Sequence, residues 1–232
     1  MTHSATAPAC SSREREDGLI RMPHRSRHRK PRTADTIPPP GVPFTAVIMF
    51  VDIRDSTTLT NQLGIMPMTS LVARFFTSVA SLVEDEAGSV RSLNGDGALA
   101  LFRGPDAADR SLAAAVRILE LAAATAVPGT GTAGRSLVVG IGIDQGQVCQ
   151  ALIPCSTAPQ QSWVGVNTAN KLAGVGRPAQ SITMTKEVFT DIAGQGDGAH
   201  SLQSAERTVR VGNVDRVVRT LTASRLPVPP VE

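Results

Sequence analysis

The chain alternates short apolar runs with apolar residues at helical spacing, and both patterns are clearest between residues 44 and 222. The run V-I-M-F-V-D-I at residues 47–53 is apolar except for one carboxylate, which is typical of a buried strand ending in a polar site. Helical spacing and end signals predict a short helix over residues 56–64, a longer one over 66–87 and an Ala-rich one over 105–127.

Two turn signals predict hairpins. N-G-D-G at residues 94–97 lies between the strand-like halves of residues 89–102, and D-Q-G-Q at 144–147 separates apolar runs at 137–143 and 148–153. This element order predicts an α+β fold, an antiparallel-rich sheet with helices packed on it. The expected remainder is a loop at 154–161, a helix at 167–173, a strand at 181–184, a helix at 186–193 and strands at 207–211 and 216–222.

Two aspartates are the candidate chemistry of this sheet. Asp52 ends the first strand and Asp96 lies in the N-G-D-G turn, so the two carboxylates meet if the hairpin lies beside that strand. Two such carboxylates repel each other, and a divalent cation offsets that repulsion. Oxygen ligands favour Mg²⁺ or Mn²⁺ over zinc. The alternative is that both are unrelated turn residues.

Four ordered motifs carry a family resemblance. They are F-V-D-I-R-D-S-T, L-N-G-D-G-A-L-A-L-F, V-G-I-G-I-D-Q-G-Q-V and V-N-T-A-N-K-L, spread over most of residues 44–190. In this order they resemble the motifs of class III nucleotidyl cyclases, the adenylate and guanylate cyclase catalytic domains. The resemblance implies a ferredoxin-like core for the predicted α+β sandwich.

The resemblance also implies a reaction. In the family, the 3′-hydroxyl of a nucleoside triphosphate attacks its own α-phosphorus and pyrophosphate leaves, with two divalent cations assisting. It implies two Mg²⁺ or Mn²⁺ ions on Asp52 and Asp96, with the Ile53 carbonyl completing one shell. The implied nucleotide and phosphate contacts, several of them at the start of the first helix, are Phe50, Arg54, Asp55, Ser56, Thr57 and Arg103.

Asn167 and Lys171 fall on the family motif V-N-x-A-x-R-L, which implies that they are catalytic. There the asparagine orients the ribose and the cation stabilises the transition state. A spacing of four places both on one helical face. Lysine keeps the charge of the usual arginine but loses its bidentate fork, so we expect weaker stabilisation. In the family this pair and the metal aspartates come from opposite subunits, which implies a homodimer with shared sites.

The base-selecting positions depart from the adenylate-forming members. Ser92 stands where those members have lysine, and the partner position falls near residues 160–162, represented by Gln161, where no acid lies. Because recognition groups discriminate strongly when they match, we expect that ATP is not the natural substrate. The chain is similar to short bacterial pyrimidine cyclases of antiphage signalling, which make cyclic UMP or cyclic CMP for a downstream effector. A purine cyclase and a catalytically silent dimerisation module stay open as alternatives.

Charge and composition bound the remaining classes. Residues 1–40 contain 8 of the 23 basic and 4 of the 20 acidic residues, so the remainder, with 15 and 16, is almost neutral. We expect a disordered basic and Pro-rich tail at 1–43, a catalytic domain at 44–223 and a short tail at 224–232. A second function that stays open is a nucleic-acid-binding domain. The nearly neutral charge of the chain after residue 40 and its few aromatic residues argue against it.

The cysteines and the length of the apolar runs predict where the protein is located in the cell. The three cysteines, Cys10, Cys149 and Cys155, are odd in number and lack metal-ligand spacing, which is typical of reduced thiols in a cytoplasmic protein. We expect no membrane span, because no apolar run reaches the necessary length.

Overall fold

The computed structural model describes residues 19–21, 37–128, 135–177, 179–194, 201–211 and 213–222. The elements follow the predicted order closely. They are β1 (Leu19–Arg21), β2 (Phe44–Ile53), α1 (Ser56–Leu63), α2 (Ile65–Asp85), β3 (Ser89–Asn94), β4 (Gly97–Phe102), α3 (Ala107–Ala124), β5 (Val139–Ile153), β6 (Gln160–Val164), α4 (Asn167–Ala173), β7 (Ser181–Thr185), α5 (Lys186–Gly194), β8 (Ser201–Gln203), β9 (Ala205–Val211) and β10 (Val214–Thr222).

One large sheet organises these elements. Its strand order is β3-β4-β2-β5-β7-β10-β9, and β6 pairs with the C-terminal part of β5, Cys149–Ile153. The β5–β7 pair is parallel and the other pairs are antiparallel. The predicted α+β fold with an antiparallel-rich sheet is therefore confirmed.

Alternation along β2 separates the two faces of the sheet. Val47, Met49, Val51 and Ile53 belong to the main core, which also takes buried residues from α2, α3, β5 and α5. Phe44, Ala46 and Ile48 belong to a smaller cluster with Ala169 of α4, and Phe50 and Trp163 pack against it. Since side chains alternate along a strand, Asp52 shares the face of Phe50 and α4. That face is only partly covered, so it leaves room for a site.

The predicted hairpin around D-Q-G-Q is wrong. Residues 139–153 form the single strand β5, which pairs with β2 without interruption from Val139 to Val148. The turn instead lies after Ile153, where β5 pairs with the unpredicted strand β6. The ten-residue β2 offers backbone partners to all four residues of D-Q-G-Q, and these inter-strand hydrogen bonds outweigh their local preference for a turn.

The predicted tails lie mostly outside the described residues, and the predicted domain boundaries at 44 and 223 stay predictions. Within the first tail, Leu19–Arg21 forms β1 and pairs with β8, a strand that the sequence did not predict. Near its end, the Gly41 N–H donates to the Gln150 carbonyl at 2.8 Å. Cys149 and Cys155 are free thiols, and Cys10 lies outside the described part.

Helix α2 is long and apolar enough to cross a bilayer by length and composition alone, contrary to the expectation from the sequence. Its buried side chains, however, belong to the core of this domain: they are Met68, Leu71, Phe75, Phe76, Val79 and Val83. The same length and composition are found in core helices of proteins that do not enter membranes, so they are weak evidence for a span.

Helix α4 lies directly on β5 because two glycines there leave no side chain between them. A β-carbon at Gly142 would collide with the carbonyl oxygen of Ala169, and one at Gly140 would collide with the carbonyl oxygen of Ala173 and the Arg54 guanidinium. These glycines therefore set the depth at which α4 sits.

Replacing Gly142 by Ala is expected to destabilise the protein by about 2–3 kcal/mol, because the added methyl group must displace α4. For a domain of this size the loss corresponds to roughly 4–12 °C in the thermal unfolding midpoint. Gly146→Ala is the matched control, since a β-carbon at Gly146 meets nothing within 4 Å. Calorimetry or thermal circular dichroism measures both. Equal midpoints for the two variants would contradict the close approach.

Candidate functional site

The two predicted metal aspartates lie on neighbouring strands at one end of the sheet. Asp52 stands opposite Gly97 in the β2–β4 register, and the Ile53 N–H donates to the Asp96 carbonyl at 3.0 Å. The Asp52 side chain is 20% exposed. Its burial, and then the negative charge of Asp96, raise the pKa of Asp52, while Arg177 and Arg54 oppose the rise. The two carboxylates are thus close enough to repel each other.

Beside these aspartates lies a cavity of about 460 Å³ between β2, the β3–β4 hairpin, β6 and α4. Among its lining residues are six of the predicted ones: Phe50, Asp52, Ser92, Asp96, Gln161 and Asn167. Further polar or aromatic lining residues that the sequence did not single out are Asn94, Ser162, Trp163 and Asn170.

The start of α1 supplies a second set of predicted residues. The Ser56 hydroxyl donates to Asp96 Oδ2, and Ser56 and Thr57 line a neighbouring cavity of about 520 Å³ that Asp96 also lines. The first N–H groups of a helix have no intrahelical acceptor, so this end can receive an anion. Asp55, the residue before α1, has a left-handed backbone (φ 54°), and its side chain does not cap the helix.

Arg54 does not fit its predicted contact with phosphate. Its backbone N–H donates to the Val138 carbonyl at 2.8 Å and its side chain is 1% exposed. The guanidinium instead donates to the Val175 carbonyl at 2.8 Å and to Ser181 Oγ at 3.3 Å. Arg54 therefore anchors the segment after α4 and is removed from the set of nucleotide ligands.

Arg103 and Lys171 lie away from this cavity. Arg103 follows the six-residue β4 at the end opposite Asp96, about 20 Å along the strand. Its guanidinium lies 4.7 Å from the centre of the Phe44 ring. Lys171 is exposed one turn after Asn167 on α4 and does not line the cavity of its own chain. The structure thus does not bring these two cations to the aspartates within one chain.

Two charged residues near the site carried no signal of their role in the sequence. Arg177 Nη2 lies 3.1 Å from Asp52 Oδ2, an ion pair between residues 125 positions apart. Asp144, predicted in a turn, is buried in β5; burial raises its pKa, and a hydrogen bond with Thr168 of α4 is among the contacts that oppose the rise. Both contacts depend on long-range pairing, so local patterns could not have found them.

The oxygen donors at the end of β2 fit a hard divalent cation. Within the described ranges, no group of three or more His, Cys, Asp or Glu side chains forms a metal cluster. A Mg²⁺ or Mn²⁺ ion bound together with a substrate does not need one, because water and phosphate oxygens complete its shell around one or two carboxylates. The Asp52 and Asp96 carboxylates could therefore hold such an ion, and the Ile53 carbonyl stays a predicted further ligand.

A curated relative matches about two thirds of the chain by sequence. An uncharacterized protein of Mycobacterium tuberculosis is 28% identical over 160 residues, which is 67% of this chain and 29% of that relative. The chain therefore spans less than a third of the length of this curated relative.

Solved structures share the fold at lower identity. The guanylate cyclase domain of RhGC from Catenaria anguillulae, in complex with GTP, superposes with a TM-score of 0.65 at 20% identity, covering 77% of this chain and 96% of that one. The non-canonical dimeric guanylyl cyclase domain of the RhoGC fusion protein from Blastocladiella emersonii gives a TM-score of 0.64 at 18% identity, with coverage of 78% and 98%.

The family comparison covers every strand of the large sheet except β10, and all the residues that line the cavity. Residues 44–212 match the family described as the adenylate and guanylate cyclase catalytic domain, which generally uses divalent metals. This match includes the strand that ends in Asp52, the turn with Asp96 and the helix with Asn167. The chain therefore belongs to the family of adenylate and guanylate cyclase catalytic domains, and it is a nucleotidyl cyclase catalytic domain.

Proposed function

We propose that this domain converts a pyrimidine nucleoside triphosphate, UTP or CTP, to the 3′,5′-cyclic nucleotide and pyrophosphate. The observation that carries the proposal is the single cavity in which Asp52 and Asp96 lie at the metal end and Ser92, Gln161 and Asn167 line other parts of the wall. In this arrangement one nucleotide reaches the metal-binding carboxylates and the base-selecting positions together.

The residues of this chain divide the work of the reaction. Asp52, Asp96 and the Ile53 carbonyl hold the divalent ions, which when bound lower the pKa of the 3′-hydroxyl and neutralise the leaving pyrophosphate. Ser56 and Thr57, at the start of α1, bind the phosphates through their free N–H groups. Asn167 orients the ribose, and Lys171 supplies positive charge to the transition state.

The neutral wall of the cavity supports a pyrimidine base. Among the described lining residues the two aspartates are the charged ones, and the rest of the polar lining consists of Ser, Asn and Gln side chains and the Trp163 indole. Ser92 Oγ donates to Asn94 Oδ1 at 3.1 Å, so the position at which adenylate-forming members carry lysine presents a short, neutral group. Amides and hydroxyls match the carbonyl and ring-nitrogen edge of uracil or cytosine.

A homodimer with shared sites is part of the proposal. Lys171 does not line the cavity of its own chain, so a second copy must supply this cation if it acts on the nucleotide. Exposed apolar residues on β3 and β6, which line the cavity, and on the end of β5 that pairs with β6 are suited to burial against a partner; they are Leu93, Val164, Leu152 and Ile153. The Blastocladiella domain with the same fold was solved as a non-canonical dimer, which supports pairing of two copies but not this particular arrangement.

We further propose that the cyclic nucleotide is a second messenger of antiphage defence, made in the cytoplasm and detected by a downstream effector that binds it. The support is the sequence resemblance to pyrimidine cyclases of that kind, together with free Cys149 and Cys155. We do not propose nucleic-acid binding for this chain, because residues 41–232, which contain the catalytic domain, are nearly neutral in net charge and lack the excess of basic residues that attracts a nucleic acid.

Incubation of the purified protein with each of the four nucleoside triphosphates and Mn²⁺ tests the substrate. Cyclic UMP or cyclic CMP, identified by mass spectrometry, is expected to form at least about tenfold faster than cyclic AMP or cyclic GMP, because recognition groups that match one base are left unpaired by another. An Asp96→Asn preparation reports any contaminating cyclase. Cyclic AMP or cyclic GMP as the main product would replace this proposal with a purine cyclase, and no product from any nucleotide would favour a silent dimerisation module.

A further inference from the structure

The strongest feature of the site that has no assigned role is an ion pair between Arg177 and Asp52, the first of the two aspartates proposed as metal ligands. Arg177 Nη2 lies 3.1 Å from Asp52 Oδ2, within both hydrogen-bond and ion-pair distance. The Asp52 side chain is 20% exposed and the Arg177 side chain 54% exposed. The carboxylate is thus held near the cavity wall, while its partner reaches it from the solvent side.

The backbone before Arg177 is fixed, so this approach is built into the fold. The Val175 N–H donates to the Leu172 carbonyl at 3.0 Å. The Val175 carbonyl in turn accepts from the buried Arg54 guanidinium at 2.8 Å and from Ser181 Oγ at 3.0 Å. Gly176 then takes a left-handed conformation (φ 82°) with no room for a side chain against Ser181. These contacts direct the chain so that Arg177 emerges opposite Asp52.

We infer that Arg177 is an internal counter-ion of Asp52 that a divalent cation must displace before it binds. The inference rests on the proposed function, in which Asp52 is a metal ligand. Without the cation, the guanidinium offsets the repulsion between Asp52 and Asp96, which keeps the two carboxylates together in the metal-free protein. A divalent ion and a guanidinium on the same carboxylate repel each other, so one excludes the other.

This arrangement makes metal binding an exchange of cations. Because the Arg177 side chain is more than half exposed, it moves into solvent at little cost and does not block the site permanently. A metal bound together with a triphosphate displaces it more readily than metal alone, since the phosphates add ligands that Arg177 cannot replace. Arg177 therefore makes the site bind a metal–nucleotide complex in preference to the free metal ion.

Mn²⁺ binding to the metal-free protein, followed by the loss of the free-ion electron paramagnetic resonance signal, tests the inference without turnover. Arg177→Gln is expected to bind Mn²⁺ about three to ten times more tightly than the unchanged protein, as expected for removal of a partly screened competitor. The matched control is Arg135→Gln, which removes the same charge from a neighbouring pair, Arg135–Asp55, whose closest atoms are 3.9 Å apart. We expect less than about a twofold change for this control.

The outcomes separate this inference from the proposed function. Unchanged or weaker Mn²⁺ binding by Arg177→Gln overturns it, as does an equal gain in Arg135→Gln, which would indicate a general charge effect. Asp52→Asn is measured alongside. If Asp52→Asn loses Mn²⁺ binding while Arg177→Gln behaves like the unchanged protein, the proposed metal site is supported and the inference that Arg177 is a counter-ion is wrong. If Asp52→Asn binds Mn²⁺ normally, the proposed metal site itself fails.

Discussion

Replacing Asp96 by Asn is expected to lower the rate of cyclic nucleotide formation about a thousandfold or more, because the stabilisation by a bound metal is worth several kcal/mol and each 1.36 kcal/mol is tenfold. Asn has the size of Asp but lacks its charge, so the loss reports the missing ligand and not a cavity. The fold should tolerate the change, since the Asp96 side chain is only partly buried and the side-chain carbonyl oxygen of the new asparagine can still accept from the Ser56 hydroxyl.

The rate is measured by chromatography of the cyclic product at saturating Mn²⁺ and nucleotide. Asp215→Asn, the same chemical change at an exposed position of β10, is the control and should keep the full rate. A thermal unfolding midpoint within a few degrees of the unchanged protein excludes misfolding for both variants. Should Asp96→Asn retain more than about a tenth of the rate, Asp96 would not be an essential metal ligand.

Co-expression of Asp52→Ala and Lys171→Ala chains is expected to restore about one quarter of the unchanged activity, although each variant alone is nearly inactive. With random pairing about half of the dimers are mixed, and in each mixed dimer one of two sites contains neither substitution. The prediction follows from the placement of Lys171 outside the cavity of its own chain.

A second mixture is the matched control for this rescue. Asp52→Ala with Asp96→Ala places both lesions among the metal ligands, so every site of every dimer lacks one carboxylate and no activity returns. Different affinity tags allow the mixed dimers to be isolated before the assay. Inactive mixed dimers of the first pair would mean that Lys171 does not serve the partner's metal site, and the shared-site proposal would fail.

The position of the two aspartates proposed to bind metal could be predicted because these residues carry strong local signals. Asp52 interrupts an apolar run at a strand end, and Asp96 lies in a turn that needs the flexible backbone of Gly95. Asn167 is preceded by the short V-G-V run and opens a helix at the expected residue. In each case a short stretch of sequence determines both the local structure and the residue that it presents.

Other predictions failed because a distant partner decided the outcome. D-Q-G-Q has turn-forming residues, yet β2 pairs with it throughout and keeps β5 straight. Arg54 and Arg177 have the same side chain, but one is buried beneath the segment after α4 and the other is exposed on Asp52. Nothing in the residues around either arginine distinguishes the two, since burial and ion pairing arise from segments more than a hundred positions away.

The sequence by itself determined the order of the helices and of most strands, the antiparallel-rich α+β sheet, the cyclase motifs and the two aspartates, because periodicity, turns and motif spacing are local properties. Only the tertiary structure decided the course of β5, the burial of Arg54, the contact of Arg177 with Asp52 and the cavity that the two aspartates share with Ser92 and Gln161. These depend on which strands pair and how closely α4 approaches β5, and such long-range contacts follow from packing of the whole domain.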